Sequence, residues 1–504
     1  MITDLLVEHA RSRPDAAFLR TDGGSYSFGQ ILPAVQRLAH RLQRHGVARG
    51  DHVALLAGNG VPYVVAMLAA NWLGAVTVAL NNELVADGLC YTLVQSDSRL
   101  LVADARWVRD KRHHLDEALK RLPMLVLPDE AELFASLQEE PEASCGRVAG
   151  SATCTILYTS GTTGLPKGVV NSHDCYLAVG KDTSDALQLT GEDRIMVFLP
   201  LFHTNPQMYA LMSALTTGCS LILRERFSVT TFFDDARRFG ATGFTFVGTV
   251  MSILVIRHPD PVTDHGLRFA IGGGTPVKVW EAAHARFGFR IHELYGMTEI
   301  GGWVSCNTLE HYRLGSCGRM RASMDVRIFD ENDMEVPPDV PGEIVVRPLR
   351  PNVILSGYYR KPEALVECSR NFWFHTGDRG SIDAEGFLYF HGRAKELIRR
   401  GGEMISPVEI ETHLRLMPGV ADCAVVGVDD PVMGEEIKVV VVMETPVPPS
   451  TVVRHLTSLV PKYMLPRFVE FIDRIPKTET EKVQRNKLQY VRAGVHDLKA
   501  LESS

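Results

Sequence analysis

Between Tyr158 and Val170 the chain reads YTSGTTGLPKGVV, with four hydroxyl residues, three glycines and one lysine in the ten positions from Thr159 to Gly168. Glycines let a backbone come close to an anion, Ser and Thr hydroxyls donate to its oxygens, and a lysine adds a charge-assisted contact. A polyphosphate is the natural guest of Thr159, Ser160, Gly161, Thr162, Thr163, Gly164 and Lys167. The stretch is not the G-x-x-x-x-G-K-[ST] loop, because Pro166 stands five residues after Gly161 and Gly168 follows the lysine. A plain surface loop would not need so many hydroxyls beside an apolar strand.

Elements able to position such a loop alternate through the first three quarters of the chain. Apolar, β-rich runs occur at 52–57, 99–104, 194–199, 219–224 and 243–248, and helix-like stretches such as 28–46 lie between them. This predicts α/β layers with largely parallel sheets. The run from Val61 to Leu80 has the length of a bilayer crossing, but Pro62 suits a first helical turn, Asn71 and Gly74 interrupt it, and AVTVAL turns β-branched. It reads as a core helix followed by a buried strand. After about residue 310, short strands with turn signals predict a small β-barrel-like subdomain, and from Glu396 onward the pattern becomes compact α+β.

The 504 residues exceed what one core supports, so at least two domains are expected. Hydrophobic residues make 45% and charged residues 22% of the chain, an ordinary globular balance. A net charge of -7 argues against a nucleic-acid binder, whose affinity would rest on clustered cations. Nine cysteines with no C-x-x-C pair fit a reducing compartment and give no zinc or disulfide framework. The N-terminus has no long apolar stretch of the secretory kind. The expected location is cytoplasmic, with no membrane span.

The loop at Thr159–Gly168 matches T-S-G-T-T-G-x-P-K-G throughout, and the chain thereby resembles the adenylate-forming enzymes, in their acyl-CoA ligase branch. Further motifs follow in the family's order. YGMTE at 295–299 resembles the second core motif, which implies that Tyr295 packs on adenine beside Gly296 and Met297, that Thr298 touches phosphate, and that Glu299 helps hold Mg²⁺. A hard carboxylate oxygen suits that ion. IGGGTP at 271–276 implies that Gly272, Gly273, Gly274 and Thr275 lie along adenine and the acyl group. HTGD at 375–378 implies a ribose contact for Asp378, and GRAKELIRRGGE implies ribose or phosphate contact for Arg393 and a pivot at Lys395. IPKTETEKVQRNKL at 475–488 resembles the C-terminal lysine motif and implies that Lys482 is the mobile catalytic lysine.

The resemblance implies a two-step reaction. A carboxylate attacks the α-phosphorus of Mg·ATP to give an acyl-adenylate and diphosphate; then the thiol of coenzyme A displaces AMP. Phosphoryl chemistry of this kind depends on positioning and on neutralising spread negative charge, for which Lys167, Thr163, Glu299 and Lys482 are available. The implied architecture is a large N-terminal domain, 1–394, and a smaller mobile α+β domain, 395–504. Rotation of the latter would bring Gly401 and Gly402 to a pantetheine tunnel. With no carrier domain after the C-terminus, free coenzyme A is the expected acceptor. His203, in FLPLFHTNPQMY, stands where CoA ligases commonly have a histidine, and that segment most resembles the carnitine/crotonobetaine and medium-chain subgroup. His203, Thr249, Gly272, Gly273, Gly296 and Gly301 make the expected acyl pocket. With Gly274 and Gly302, its glycines suggest a bulky or medium-chain apolar acid. Dimers are frequent in the family, so a homodimer is a further expectation.

Two positions depart from the pattern. Glu481 replaces the glycine before the mobile lysine, and Met404 the asparagine after GGE. A carboxylate beside Lys482 would hold its ammonium and repel phosphates, which gives a second reading: an enzyme that only converts a supplied acyl-adenylate to the thioester. A non-catalytic nucleotide-binding regulator is a third, disfavoured by the joint presence of Lys167, Glu299, Asp378, Arg393 and Lys482.

Overall fold

The computed structural model describes residues 1–82, 84, 86–115, 119–159, 166–393, 398–400, 403–405, 407–430, 433–457, 459–460, 464–478, 482–491 and 494–498. Two compact units are present. The first comprises Met1–Val326, Val346–Phe374 and Glu385–Leu388, and the second Arg327–Val345, His375–Ala384 and Tyr389–Ser504.

The first unit is built on two sheets. One runs Gly357–Tyr358, Lys167–Ser172, Thr153–Thr159, Val76–Ala79, His52–Leu56, Leu100–Asp104 and Met124–Leu127 from edge to edge. Its last five strands are parallel. The other runs Arg319–Met320, Gly302–Cys306, Arg290–Met297, Phe269–Gly273, Gly243–Val247, Arg194–Val197, Ser220–Leu223, Ala17–Arg20 and Ser25–Ser27, parallel through its middle and antiparallel at both ends. The strands expected from apolar runs are all present. Val76–Ala79 and Ser220–Leu223 are buried at every residue, as parallel strands covered on both faces must be.

Local chemistry explains the helices. Phe28–Arg44 starts at Ser27, whose side chain accepts from the Gln30 amide while Gln30 reaches back to the Ser27 amide. Its buried face is Phe28, Ile31, Val35, Leu38 and Leu42, one stripe at helical spacing. Val61–Trp72 has Pro62 in its first turn and is buried on all sides. Its Asn71 is tied by Nδ2 to the carbonyls of Ala75 (3.3 Å) and Cys154 (2.9 Å). The membrane-length run is therefore a core helix leading into the strand Val76–Ala79. Among the described residues no helix is long and apolar enough to cross a membrane.

Short strands follow residue 310, as the turn signals suggest: Met324–Phe329, Gly342–Pro348, Trp373–Ile382 and Leu388–Arg393. In the second unit Val420–Asp430 and Gly434–Met443 pair antiparallel over their lengths, and Phe468–Phe471 joins the latter in parallel. Helices Pro407–Leu414 and Pro449–Thr457 contribute Ile410, Leu414, Val452 and Leu456 to a core with Val425, Val439 and Val441.

Two histidines are sealed in the first unit. His173 accepts from the Ile2 amide, and His292 Nδ1 lies 2.6 Å from the Asn307 carbonyl. Burial lowers each from 6.5 to about 4. Both rings are thus neutral in the folded chain but protonate below 6.5 once unfolded, so the unfolded state binds more protons between pH 6.5 and 4. Stability falls as pH drops through that window, by up to about 1.4 kcal/mol per pH unit for each ring. His292→Asn removes one contribution, and melting curves from pH 6.5 to 4.5 should fall less steeply for the variant than for the wild type.

Candidate active site

The glycine- and hydroxyl-rich stretch joins two antiparallel strands, with Thr159 opposite Lys167 and Tyr158 opposite Gly168. The strand Gly357–Tyr358 then adds to the outer side, Tyr358 opposite Val169. This places Thr159, Lys167 and Tyr358 at one end of the seven-stranded sheet. Lys167 Nζ lies 5.3 Å from the centre of the Tyr358 ring, a cation–π distance.

From the nine-stranded sheet, Arg290–Met297 ends in a short turn, Thr298–Ile300, before Gly302–Cys306 runs back. That turn buries Glu299 to 6% exposure. Its Oε1 accepts from the Thr159 hydroxyl at 3.1 Å and from the Tyr358 hydroxyl at 3.3 Å. One carboxylate thus joins both sheets at the mouth of the phosphate-type loop. Burial, followed by the Glu299 charge, pushes the Tyr358 phenol well above its ordinary value, so it stays a donor. Cys368 is half-buried nearby; its thiol is pushed up first by burial, with the Glu299 charge adding.

Beside Glu299, the Thr298 and Thr204 hydroxyls are 2.6 Å apart. Thr204 precedes a π-helical segment, Asn205–Leu211, whose wide turn is a common feature of functional sites. His203, just before it, packs on Phe202 with ring centres 4.3 Å apart. Its Nε2 has no hydrogen-bond partner among the described residues, and burial lowers the ring to about 4. It is a neutral imidazole with one spare polar atom, suited to orient a ligand rather than to carry charge.

The run Gly272–Thr275 leaves strand Phe269–Gly273 in a turn with Gly274 at φ +91°. Glu293, 6% exposed, fixes it: Oε1 accepts from the Gly274 amide and, at 3.1 Å, from the Thr275 amide. Burial raises this carboxyl to about 7. Thr249 is half-buried in the first turn of Gly248–Arg257, directly after Gly248, where a Cβ would meet the Gly274 carbonyl at 1.9 Å. Tyr295 is buried, and the strand shifts register between Tyr295 and Gly296.

Three of the glycines, Gly272, Gly296 and Gly301, do not leave empty space. A Cβ on Gly272 would meet the Phe246 carbonyl at 2.1 Å, one on Gly296 the Gly302 carbonyl at 2.2 Å, and one on Gly301 the Val353 carbonyl at 2.1 Å. These positions serve close backbone packing, and they carry no information on the size of an acid. Behind them lies Arg321, with a side chain only 1% exposed. It pairs with Asp182 and donates Nη1 to the carbonyls of Gly301 (3.1 Å) and Trp303 (3.3 Å).

In the second unit, Asp378 is 5% exposed on Trp373–Ile382, and its amide donates to the Thr376 hydroxyl. Glu343 ties down the turn before it, accepting from the Gly377 amide at 3.0 Å and contacting His375 Nδ1 at 2.9 Å. Lys482 lies on a tight return: its amide donates to Thr478 Oγ1 at 3.2 Å and its carbonyl accepts from the Thr478 amide at 2.7 Å.

Of the residues singled out in the sequence, Thr159, Lys167, Thr298 and Glu299 are gathered into one cluster, with Gly273–Thr275, Tyr295–Met297, His203 and Thr249 in the same unit. Asp378 and Lys482 belong to the other. Ser160, Gly161, Thr162, Thr163, Gly164, Lys395, Gly401, Gly402 and Glu481 lie outside the described residues, as do the side chains of Arg393 and Met404. Sequence reasoning missed Tyr358, Thr204, Glu293 and Glu343. Tyr358, Thr204 and Glu343 contact residues 32 or more positions away, and no spacing signals that; Glu293, two residues before Tyr295, was within reach of the motif itself.

The family model "AMP-binding enzyme" matches residues 6–359, and its "C-terminal domain" model matches 409–482. Sulfoacetate–CoA ligase of Cupriavidus necator is 32% identical over 96% of both chains. 2-Succinylbenzoate–CoA ligase of Bacillus subtilis is 31% identical over 97% of this chain and 98% of its own. The structure of o-succinylbenzoate CoA synthetase from B. subtilis, in complex with its acyl-adenylate intermediate, superposes with a TM-score of 0.86, at 29% identity over 97% and 98% of the two chains. The motifs, the fold and these likenesses agree: the chain belongs to the AMP-binding enzyme family, in its AMP-forming acyl-CoA ligase branch.

Proposed function

We propose that this acid:CoA ligase activates an acid with an uncharged tail, using the Glu299 cluster for the nucleotide and Lys482 for adenylation. The observation that carries the reading is Glu299, buried between hydroxyls from a second sheet at the mouth of the loop. Its carboxylate fits Mg²⁺, which takes hard oxygen ligands and leaves most of its shell to water and phosphates. Bound there, the ion would neutralise charge on the phosphates. Lys167, held over the Tyr358 ring, and the Thr298 hydroxyl, held by Thr204, supply further donors for the same oxygens. Tyr295 and the Glu293-braced turn at Gly274 offer a flat, close-approach surface for adenine. Asp378 is assigned the ribose hydroxyls, Arg393 the ribose or phosphate, and Gly401 and Gly402 the pantetheine path. The mobile domain is placed after the pivot at Lys395.

The proposed acyl wall is uncharged. His203 is neutral, Phe202 packs on it, and Met208, Tyr209 and Val179 approach Gly302. The guanidinium behind that wall, Arg321, is already paired with Asp182. Apolar monocarboxylic acids, aliphatic and aromatic, should therefore outperform oxalate, sulfoacetate and succinate-bearing acids in CoA-thioester formation. A preference for the doubly acidic compounds would overturn this assignment. Running acyl-adenylates alongside the free acids, with acid-dependent ATP–diphosphate exchange, tests the Glu481 reading. Robust exchange with the preferred acid excludes an enzyme confined to the thioester step.

Tyr358→Phe removes a hydroxyl that donates to Glu299 and leaves the ring under Lys167. A hydrogen bond to a charged group contributes about 1.5–3 kcal/mol. Diphosphate exchange should fall roughly tenfold at limiting Mg²⁺ and recover as Mg²⁺ is raised, whereas an unchanged Mg²⁺ profile would separate Tyr358 from the metal-side role of Glu299.

A further inference from the structure

The buried charges of the second unit point to the segment that carries Lys482. Lys438, in the middle of Gly434–Met443, has a side chain with no exposure. Its ammonium has three donors, and three acceptors surround it: Glu470 Oε2 at 2.6 Å, the Leu488 carbonyl at 2.9 Å and the Tyr490 carbonyl at 2.8 Å. Glu470 belongs to the neighbouring parallel strand, paired with Val440. The two carbonyls belong to the chain just after Lys482. A cation placed where an apolar residue would fill the sheet is costly unless all its donors are met, and here two of the three are met only by this returning segment.

The same segment is secured at other points. Arg485 pairs with Glu411 and donates to the Val425 carbonyl at 2.7 Å. Lys477 pairs with Asp422 at 2.6 Å. Ile475 and Leu488 are sealed against Ala424, Val426, Val428 and Val440, with Val483 packed on that cluster. Lys482 is thus carried by a short loop whose two ends are both anchored to the central hairpin, and Lys438 is the buried anchor on its C-terminal side.

We propose that Lys438, with Glu470, is a positioning residue for Lys482: it sets the register of the 482–490 segment on the sheet, and with it the place from which the Lys482 ammonium is presented. The inference rests on the reading of Lys482 as the adenylation lysine. A shift of about 1 Å in such a group can cost about a hundredfold in rate. The thioester step does not use Lys482, so the two half-reactions should separate.

The test uses the full chain. Lys438→Met with Glu470→Leu removes both charges without leaving one buried alone. Acid-dependent ATP–diphosphate exchange should fall tenfold or more, thioester formation from a synthetic acyl-adenylate of the preferred acid should stay within about twofold, and hydrogen exchange of the 482–491 amides should rise above that of Val420–Asp430. Glu470→Gln, which keeps the two carbonyl acceptors and a near-isosteric side chain, gives a milder split of about threefold and serves if the double variant does not fold. Equal losses in both half-reactions, or no loss in either, would overturn the proposal. Lys482→Ala is the control: if it leaves exchange intact, the adenylation role of Lys482 fails and the positioning role with it, whereas exchange abolished by Lys482→Ala but untouched in both Lys438 and Glu470 variants sinks the positioning role alone.

Discussion

Two sheets meet at one buried carboxylate. Glu299 leaves the nine-stranded sheet in a single turn, while Thr159 and Tyr358 reach it from two strands of the seven-stranded one. A buried carboxylate without donors would be strongly disfavoured, so the three elements have to arrive together. Thr159 sits opposite Lys167, and Tyr358 lies beside the strand that Lys167 begins. Placing Glu299 therefore places the cation, and the ends of the loop between Thr159 and Lys167, without any further requirement on the loop itself. The hydroxyl pair Thr204–Thr298 extends the arrangement toward His203 and the π-helical segment.

The second unit solves a related problem with ion pairs. Lys438 with Glu470 and Arg485 with Glu411 tie the returning chain to the central hairpin, and Arg400 pairs with the fully buried Glu436 at 2.6 Å. Such pairs add little net stability over apolar replacements, but they penalise any other register. In the first unit, Arg321 plays the comparable part behind Gly301 and Trp303, where its guanidinium is shared between one carboxylate and two carbonyls.

The layered architecture was legible because its signals are local. Short apolar, β-rich runs became parallel strands, and the helix-like stretch at 28–46 became the helix Phe28–Arg44. Of the residues that the family resemblance singles out, Thr159, Lys167, Thr298 and Glu299 come together at strand ends and a turn of the α/β unit, while Asp378 and Lys482 lie in the other unit. What holds them was not legible. Tyr358 comes 59 residues after Glu299, and Thr204 94 residues before Thr298. Their positions follow from strand order, which no window of the sequence encodes. Lys438 is the sharpest case: within KVVVVM it looks like an exposed strand terminus, yet it is fully buried.

Glycine was the most misleading residue type. In the sequence, the run at 272–274 and the pair at 301–302 suggest room for a large acid. In the fold, each of Gly272, Gly296 and Gly301 has a backbone carbonyl where its own side chain would stand. They allow neighbouring strands and turns to press together. Gly274 differs, since a Cβ there would touch nothing nearer than 3.8 Å, and its φ of +91° with the Glu293 bond fixes a turn that opens outward. The Cβ side of the backbone is open at that glycine and occupied at the other three. In the acyl wall proposed above, acid selection falls to side chains: His203 and Phe202 before the π-helical turn, Met208 and Tyr209 within it, and Thr249 at the helix start. A change in any of these alters the wall directly, whereas a side chain added at Gly272 or Gly301 would first have to displace backbone.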